Sequence, residues 1–328
     1  MFVPIVLATV CLASSTVLAT FDKPFYDVED AESLFKDFVQ EHKKVYNRRE
    51  YYERLAIFKE TLKNINEQNE KFPDTVFALN HFADLKPHEL ECYRGFKLPK
   101  DMNVTKVEIT EGMDSAPDSL DWRQQNKVTH VKNQDKCGSC YIFSAVGDIE
   151  GQYAMKHGQL IALSEGQALD CLNVGGCQGG YMEQVMQELA QRRMKLEREE
   201  DYPYAPSKKP CHHDPSKGVV QCAGGVRKEM MDEEQLKVLL ANRGPISIAI
   251  NSQDFGYYQK GILIPNMCKG RPIDHAVLLV GYGEENGQKY WLIKNSWGTG
   301  WGEQGYVRML RGVNACNIGF YLAVSTVE

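Results

Sequence analysis

The stretch that decides the fold runs from Gln134 to Tyr141 and reads Gln-Asp-Lys-Cys-Gly-Ser-Cys-Tyr. Cys140 stands at the start of a predicted helix, residues 140–157, which Gly158 should terminate. Four apolar residues recur there at helical spacing: Ile142, Val146, Ile149 and Tyr153. Unpaired N–H groups and the helix dipole favour negative charge at a helix N-terminus. The sequence therefore predicts a thiolate at Cys140, and the thiolate is the nucleophilic form of cysteine.

A nucleophilic cysteine also needs a base, a group that orients the base, and donors for a developing oxyanion. His275 precedes an apolar run, and Asn295 follows a strand-like run. We expect His275 to pair with Cys140, and Asn295 to accept a hydrogen bond from the other imidazole nitrogen. Gln134 is expected to donate its side-chain N–H to the oxyanion, beside the backbone N–H of Cys140.

These motifs resemble those of the papain-like cysteine peptidases, and most of all the cathepsin L-like endopeptidases. The signature Cys-Gly-[Ser/Ala]-Cys-[Trp/Tyr] with a distant His and Asn is typical of that family. Further matching segments follow in the same order, at residues 177–180, 274–276 and 294–302. The resemblance implies an α+β, papain-like two-lobed fold with the active-site cleft between the lobes. A mainly helical lobe (about 116–225) would carry Cys140, and a β-barrel-like lobe (about 226–328) would carry His275 and Asn295.

The order of local patterns favours the same fold class. Helical patterns cover residues 140–157, 181–194 and 232–243, and Ser164 with Gln167 fits a capping box for a further short helix. Strand patterns follow at residues 246–250, 276–280 and 290–294, the first of them alternating, with a hairpin turn at Asn286-Gly287. Helices first and strands later indicate an α+β chain.

The resemblance also implies a cleft that selects the residue two before the scissile bond (P2). The implied substrate contacts are Gly180, Tyr181, Met182, Ala249, Ile273, Asp274, Trp297 and Tyr321. Four of them would form the P2 pocket, and they are apolar, so Leu, Val or Phe should fit: Met182, Ala249, Ile273 and Tyr321. Gly180 would offer its backbone to the substrate, and Trp297 would cover the bond between Asn295 and His275.

The first third of the chain has a different character. Residues 1–19 contain no charged side chain and are predicted to be a secretory signal peptide removed near Ala19, with an uncleaved anchor helix as the alternative. Leu34, Phe38 and Val45 suggest a first helix. A second amphipathic pattern follows, at Tyr51, Leu55, Phe58, Leu62 and Ile65. Glu50 and Arg54 can pair on this helix because they are four residues apart.

The second helix resembles the ERFNIN pattern of cathepsin L-like propeptides over residues 50–69, and residues 78–84 resemble the short motif that follows it. The resemblance implies that residues 20–115 are an inhibitory propeptide that crosses the cleft in reverse, ahead of a mature peptidase at 116–328. A permanent N-terminal helical domain is the alternative.

Ten cysteines in a chain predicted to be secreted suggest disulfides, although spacing leaves their connectivity open. The resemblance implies three pairs: Cys137–Cys177, Cys171–Cys211 and Cys268–Cys316. Cys222 has no implied partner. Asn103 begins a glycosylation sequon in the linker before the mature part, so its sugar would be lost on maturation.

Several other classes are disfavoured. A formal net charge of −6 argues against a nucleic-acid partner, and no segment after residue 19 is apolar enough for stable membrane insertion. The glycines at 300, 302 and 305 precede a strand pattern, not the helix that a dinucleotide site needs. Cys211, His212 and His213 with Cys222 have an unusual spacing for zinc, so no metal or cofactor is expected. Cathepsin B-like exopeptidases carry paired histidines on an inserted occluding loop. Here the segment after Cys211 is about as long as in cathepsin L-like chains, so His212 and His213 are not expected to form such a loop.

The expected function is that of a cysteine endopeptidase zymogen in the secretory pathway, destined for a lysosome, a vacuole or the extracellular space. Its expected partners are protein and peptide substrates, its own propeptide and cystatin-type inhibitors, and it should be a monomer. The alternatives are an exopeptidase of the same fold and a non-catalytic secreted relative. Three positions depart from the family pattern: Tyr141 for Trp, and Asp135 and Asn317 for Gly. An acidic Asp135 near the site could lower activity or shift its pH optimum.

Overall fold

The computed structural model describes residues 22–100, 113 and 115–328. The predicted signal peptide, its cleavage site at Ala19 and the sequon at Asn103 lie outside these residues. Within the described ranges, no helix combines the length and apolar character needed to cross a bilayer.

Helices cluster in the N-terminal segment (residues 22–100) and around the predicted nucleophile. They are α1 (Ala31–Glu41), α2 (Arg48–Lys71), α3 (Pro87–Leu90), α4 (Cys140–His157), α5 (Glu165–Cys171), α6 (Met182–Arg192) and α7 (Glu233–Arg243). The strands are β1 (Thr75–Phe77), β2 (Leu120–Asp121), β3 (Lys195–Leu196), β4 (Val220–Glu229), β5 (Ile246–Ile250), β6 (Tyr258–Leu263), β7 (His275–Glu285), β8 (Gln288–Lys294), β9 (Tyr306–Leu310) and β10 (Tyr321–Val327). Most of the strands follow most of the helices, which confirms the α+β class.

The strands form one sheet of ten, in the order β1-β6-β9-β8-β7-β5-β10-β4-β3, with β2 paired to β7. Its pairs are antiparallel except for β6 with β9. In the described residues the sheet stays open, so the expected barrel-like closure is corrected. One edge is extended by β1 from the N-terminal segment and the other by β3 from the helical lobe. Strands β1 and β3, which come from outside the β lobe, therefore occupy the two edges that would have to pair to close a barrel.

The predictions that rest on residues close in sequence, such as glycine at a helix end or Asn-Gly in a hairpin turn, agree with the structure. Helix α4 has the predicted bounds, and Gly158 ends it at φ +71°. Asn286 and Gly287 both adopt positive φ, 52° and 78°, as a type I′ hairpin turn requires. On α2, Arg54 pairs with Glu50 at 3.1 Å, as its spacing predicted.

Two local details differ from expectation. Helix α1 ends at Glu41, and Val45 is 92% exposed, so Val45 does not belong to its apolar face. Ser164 does cap α5 by accepting from the Gln167 backbone N–H. The Gln167 side chain instead bonds the backbone of Lys195 and Glu197, so the reciprocal half of the capping box is absent.

Strand β5 was expected to alternate between buried and exposed residues, but all five of its residues are buried. Its isoleucines pack into the core beneath α7. The opposite face carries Ser247 and Ala249, which lie against the helical lobe, and Ser247 bonds the hydroxyl of Ser144 on α4. Both faces are covered because β5 lies at the junction of the two lobes.

A buried ion cluster also joins the lobes. The Lys132 ammonium lies 2.9 Å from Glu150 and 2.8 Å from Glu165, and all three residues are buried. Across the junction, Lys294 donates to Thr129, whose hydroxyl donates to Glu150. Burial lowers the pKa of Lys294 to about 8 and raises the pKa of Glu165 to about 7. Because Lys294 immediately precedes Asn295, this cluster lies directly behind the predicted site.

Lys132→Met should leave two buried carboxylates without their shared cation and lower the free energy of unfolding by about 3–5 kcal/mol. Urea denaturation in a Cys140→Ala background, which prevents self-cleavage, measures this change. Lys63→Met is the matched control, since the Lys63–Glu60 pair is exposed and should contribute little. Equal losses in the two variants would contradict a stabilising role for the cluster.

Candidate active site

Cys140 is the first residue of α4 and is fully buried. Its sulfur accepts hydrogen bonds from the backbone N–H of Gly95 at 3.2 Å and of Ala276 at 3.5 Å. The first belongs to the N-terminal segment and the second to β7. The predicted nucleophile therefore lies where both lobes and the N-terminal segment meet.

His275 begins β7, and Asn295 directly follows β8, the antiparallel neighbour of β7. The imidazole Nε2 and the Asn295 Oδ1 are 2.8 Å apart. An amide oxygen only accepts, so Nε2 carries the hydrogen and Nδ1 keeps a free lone pair. That Nδ1 is buried and has no hydrogen-bond partner. The ring therefore presents one nitrogen that can take a proton.

Gln134 is fully buried, and its amide is fixed on both sides. Ser296 donates its hydroxyl to the Gln134 Oε1 at 2.6 Å. The Gln134 Nε2 donates to the carbonyls of Cys137 at 2.9 Å and Tyr93 at 3.3 Å. The Tyr93 carbonyl of the N-terminal segment thus accepts a hydrogen bond from the side-chain amide that we expect to stabilise an oxyanion.

Trp297 covers the imidazole. Its ring lies 4.9 Å from that of His275 at an interplanar angle of 32°, and Phe82 of the N-terminal segment meets it edge-on at 5.1 Å. Burial is the main cause that lowers the pKa of His275 to about 4. The imidazole is therefore neutral near pH 7 in this covered form.

In this covered form the Cys140 thiol is favoured, so the thiolate that the helix N-terminus predicts stays a prediction for the uncovered site. Burial raises the pKa of the Cys140 thiol to about 12, and the N–H groups of Ala276 and Gly95 offset only part of that rise. The N-terminal segment excludes the water that would solvate an anion. The helix N-terminus alone does not compensate for this desolvation.

The four predicted pocket residues lie together. Tyr321 of β10 pairs in register with Ala249 of β5, and Ala249 pairs with Ala276 of β7. Met182 and Ile273 belong to the same apolar cluster, which also contains Phe96. The Phe96 ring meets Tyr321 edge-on at 4.9 Å, so a side chain of the N-terminal segment packs against one of the predicted pocket residues.

The N-terminal segment bonds the cleft walls through its backbone. Gly180 donates to the Gly95 carbonyl and accepts from the Lys97 N–H, both at 2.9 Å, in a parallel bridge around Phe96. The carbonyl of Asp274 accepts from the Phe96 N–H at 3.1 Å. Tyr181 is partly buried and lines a groove that continues along residues 97–100.

The described part of the chain contains three disulfides, and they are the pairs that the resemblance implied: Cys137–Cys177, Cys171–Cys211 and Cys268–Cys316. Among these residues Cys92, Cys140 and Cys222 form no disulfide, and Cys222 is buried. His212 is exposed and stacks on Tyr202 at 4.0 Å.

Two of the family departures have a backbone explanation. Asp135 and Asn317 adopt positive φ, 49° and 64°, which glycine reaches most readily and Asp or Asn more easily than most other residues. Asp135 is exposed, and its carboxylate accepts from the side-chain amide of Asn133 at 2.7 Å. Both substitutions therefore keep the turn geometry.

Sequence reasoning missed two residues of the site. Ala276 contributes an N–H to the Cys140 sulfur and a side chain to the pocket, and Ser296 orients Gln134. Both are adjacent to predicted site residues, His275 and Asn295. That adjacency was the one available signal, because strand register and a bond across 162 residues are not visible locally.

Comparison with known proteins places this geometry in a family. Residues 116–326 match the family model described as papain family cysteine protease, and residues 35–90 match the cathepsin propeptide inhibitor domain. The chain is 41% identical over 313 residues to the viral cathepsin of Heliothis zea nuclear polyhedrosis virus, covering 90% of this chain and 84% of that one.

Solved structures agree with these matches. The digestive procathepsin L2 proteinase from Tenebrio molitor larval midgut superposes with a TM-score of 0.84 at 35% identity, covering 90% of this chain and 99% of that one. A recombinant stem bromelain precursor superposes with a TM-score of 0.80 at 30% identity, covering 91% and 99% of the two chains. The chain therefore belongs to the papain family of cysteine proteases and is a cathepsin-like proenzyme with its own propeptide inhibitor domain.

Proposed function

We propose that this proenzyme matures into an endopeptidase that hydrolyses peptide bonds with Cys140, His275, Asn295 and Gln134. One observation carries the proposal: a peptide backbone, residues 93–97, already lies across these groups. It contacts the Cys140 sulfur, the Gln134 amide and the Gly180 backbone at hydrogen-bond distances. The site is therefore shaped to hold an extended peptide.

The reaction follows from the positions of these groups. Once the propeptide leaves, the Cys140 proton passes to the free Nδ1 of His275, and the thiolate attacks the scissile carbonyl carbon. Gln134 and the Cys140 N–H stabilise the resulting oxyanion. The imidazolium protonates the leaving amine, and the C–N bond breaks to give a thioester. His275 then deprotonates a water molecule, whose oxygen attacks the thioester carbonyl carbon. The C–S bond breaks, the carboxylic acid leaves, and the imidazolium returns its proton to the Cys140 sulfur.

The bound propeptide escapes this reaction because of its direction. Its parallel bridge with Gly180 brings the Gly95 N–H, not a carbonyl carbon, to the Cys140 sulfur. A donor N–H offers the sulfur no electrophile. The same backbone contacts that would bind a substrate therefore produce an inhibited complex.

The pocket around Phe96 supports a preference for an apolar P2 residue. Its proposed walls are Met182, Ala249, Ile273 and Tyr321, which belong with Phe96 to one larger apolar cluster. The segment continues past the pocket to Lys100 along an open groove, so this end of the cleft admits more chain. That continuity favours an endopeptidase over an aminopeptidase, because the groove receives the part of a substrate that precedes the P2 residue.

Acid is the proposed trigger for propeptide release. Arg54 pairs with Glu89 and holds the pKa of that carboxyl at about 2. The contribution of this pair to the stability of the folded propeptide is therefore present above about pH 4.5 and is lost as the pH falls toward 2. Burial lowers the pKa of His81, beside Phe82, to about 4. The contribution of buried, neutral His81 to propeptide stability is present above about pH 6.5 and is lost as the pH falls toward 4. In that range an uncovered His81 binds a proton more readily than the buried one, so protonation favours the released propeptide.

An acid trigger fits an enzyme that travels the secretory pathway to a lysosome or vacuole, or outside the cell. Its substrates would be proteins and peptides, and cystatin-type inhibitors would compete for the same cleft. We propose that it acts as a monomer.

Acidified proenzyme should lose about 100 residues, the propeptide length read from the resemblance, and then hydrolyse an N-terminally blocked Phe-Arg peptide amide. Cys140→Ala should do neither by itself, because it has no thiolate to form the acyl-enzyme. Cleavage only at free chain termini would identify an exopeptidase. Clean processing without turnover of any peptide would favour a non-catalytic relative, and a preference for basic P2 residues would refute the pocket assignment.

Gly95→Ala tests the inhibitory crossing. An added Cβ would lie 1.9 Å from the backbone oxygen of Gly138, so the segment must shift away from Cys140. Overpacking of this kind costs about 1–3 kcal/mol, so the propeptide should bind about 5- to 150-fold more weakly. Peptide hydrolysis by unprocessed proenzyme at pH 7 should rise accordingly. Val45→Ala, at an exposed position, is the control, and unchanged inhibition in Gly95→Ala would rule out this crossing.

A further inference from the structure

We propose that Tyr141 is a positioning residue whose hydroxyl holds the backbone edge at Gly180 in place for the substrate. The inference rests on the proposed peptidase function and adds to it a residue that the reaction scheme above does not use. Tyr141 does not touch the reacting atoms, so it would act through the edge that binds the peptide backbone.

The hydroxyl of Tyr141 reaches the loop that leads to this edge. Tyr141 is the second residue of α4 and is fully buried. Its Oη lies 2.7 Å from the carbonyl of Val174 and 3.0 Å from that of Gly176. Both carbonyls belong to the loop after α5, a few residues before Gly180. One side chain thus fixes this loop to the helix that carries the nucleophile.

The aromatic ring supports the edge directly. A Cβ built on Gly180 would lie 2.7 Å from Cε2 and 2.9 Å from Cζ of Tyr141, so the ring stands immediately behind the Gly180 backbone. On its other side, that backbone makes the two 2.9 Å bonds to Gly95 and Lys97. The ring therefore limits how far the edge can retreat when a peptide pairs with it.

The loop has a second anchor with a different chemistry. The disulfide between Cys137 and Cys177 joins it to the motif just before the nucleophile. Residues 178–180 extend beyond this covalent link, and Gly179 and Gly180 carry no side chain to pack. On the other side of the disulfide, before Cys177, the Tyr141 hydroxyl bonds the carbonyls of Val174 and Gly176 and so orients that part of the loop.

Because Tyr141 is covalently next to Cys140, it fixes the spacing between the sulfur and the edge. A peptide whose P2 residue fills the Phe96 pocket would use the Gly180 edge for its backbone. A substrate with a single amino-acid residue would reach Cys140 and Gln134 without pairing with Gly180. Loss of the hydroxyl should therefore matter for the first substrate and not for the second.

The test compares mature wild type and Tyr141→Phe on a blocked Phe-Arg amide and on an N-acetyl-arginine ester. We expect kcat/KM for the dipeptide amide to fall about 5- to 20-fold, mainly through KM, since the loop carbonyls lose their buried hydroxyl donor. The ester should change less than about twofold. Tyr282→Phe is the matched control, because it also loses a buried hydroxyl bond to a carbonyl, that of Pro117, away from the cleft.

An equal fall on both substrates would show a merely structural role and would overturn the proposal, and so would no change on the amide. If the variant does not process itself, wild-type enzyme can process a proenzyme that carries the substitution, and the substrate comparison still decides. An inactive wild type on both substrates would refute the proposed function itself, which is a separate outcome from failure of the Tyr141 proposal.

Discussion

The burial of helix α4 between the two lobes is the constraint on which the rest of the structure depends. Its first residue is Cys140, and each turn behind it is fastened to the β lobe. Ser144 donates to the carbonyl of Val277 at 2.7 Å. Asp148 accepts from the backbone N–H of Ser325 at 2.8 Å, and Glu150 joins the ion cluster that includes Lys294. These contacts fix α4 to the β lobe, so the position of the Cys140 sulfur is set relative to both walls of the cleft. A helix free on one face would not hold Cys140, the proposed nucleophile, in a fixed position relative to His275.

The propeptide uses this fixed geometry to suppress the chemistry. It presents an N–H to the sulfur, a carbonyl to Gln134 and a phenyl ring to Tyr321, so each of these proposed substrate contacts has a propeptide counterpart. Its burial of the site raises the pKa of the Cys140 thiol and lowers the pKa of His275, and both shifts favour the uncharged forms. We therefore propose that the propeptide inhibits by desolvating these groups as well as by blocking the cleft.

The sequence predicted well what local chemistry decides. Helix α4, its glycine stop and the Asn286-Gly287 turn depend on neighbours in the chain, and they agree with the structure. The burial of both faces of β5 and the open sheet depend on elements contributed from far away, including β1 of the N-terminal segment. The charge state of Cys140 could not be predicted either, because it depends on what covers the sulfur. The missed contribution of Ala276 is a matter of register, which local patterns do not specify.

The most direct measurement is the rate at which iodoacetamide alkylates Cys140 in the proenzyme and in the processed enzyme, followed by peptide mass spectrometry from pH 5 to 8. Exposed Cys92 provides an internal standard for reagent access in the proenzyme. The account predicts that Cys140 in the proenzyme reacts at least about 100-fold more slowly than in the processed enzyme near pH 6, since only the thiolate reacts. Equal rates in the two forms would show that the propeptide does not control the charge and access of the sulfur, and would contradict the account.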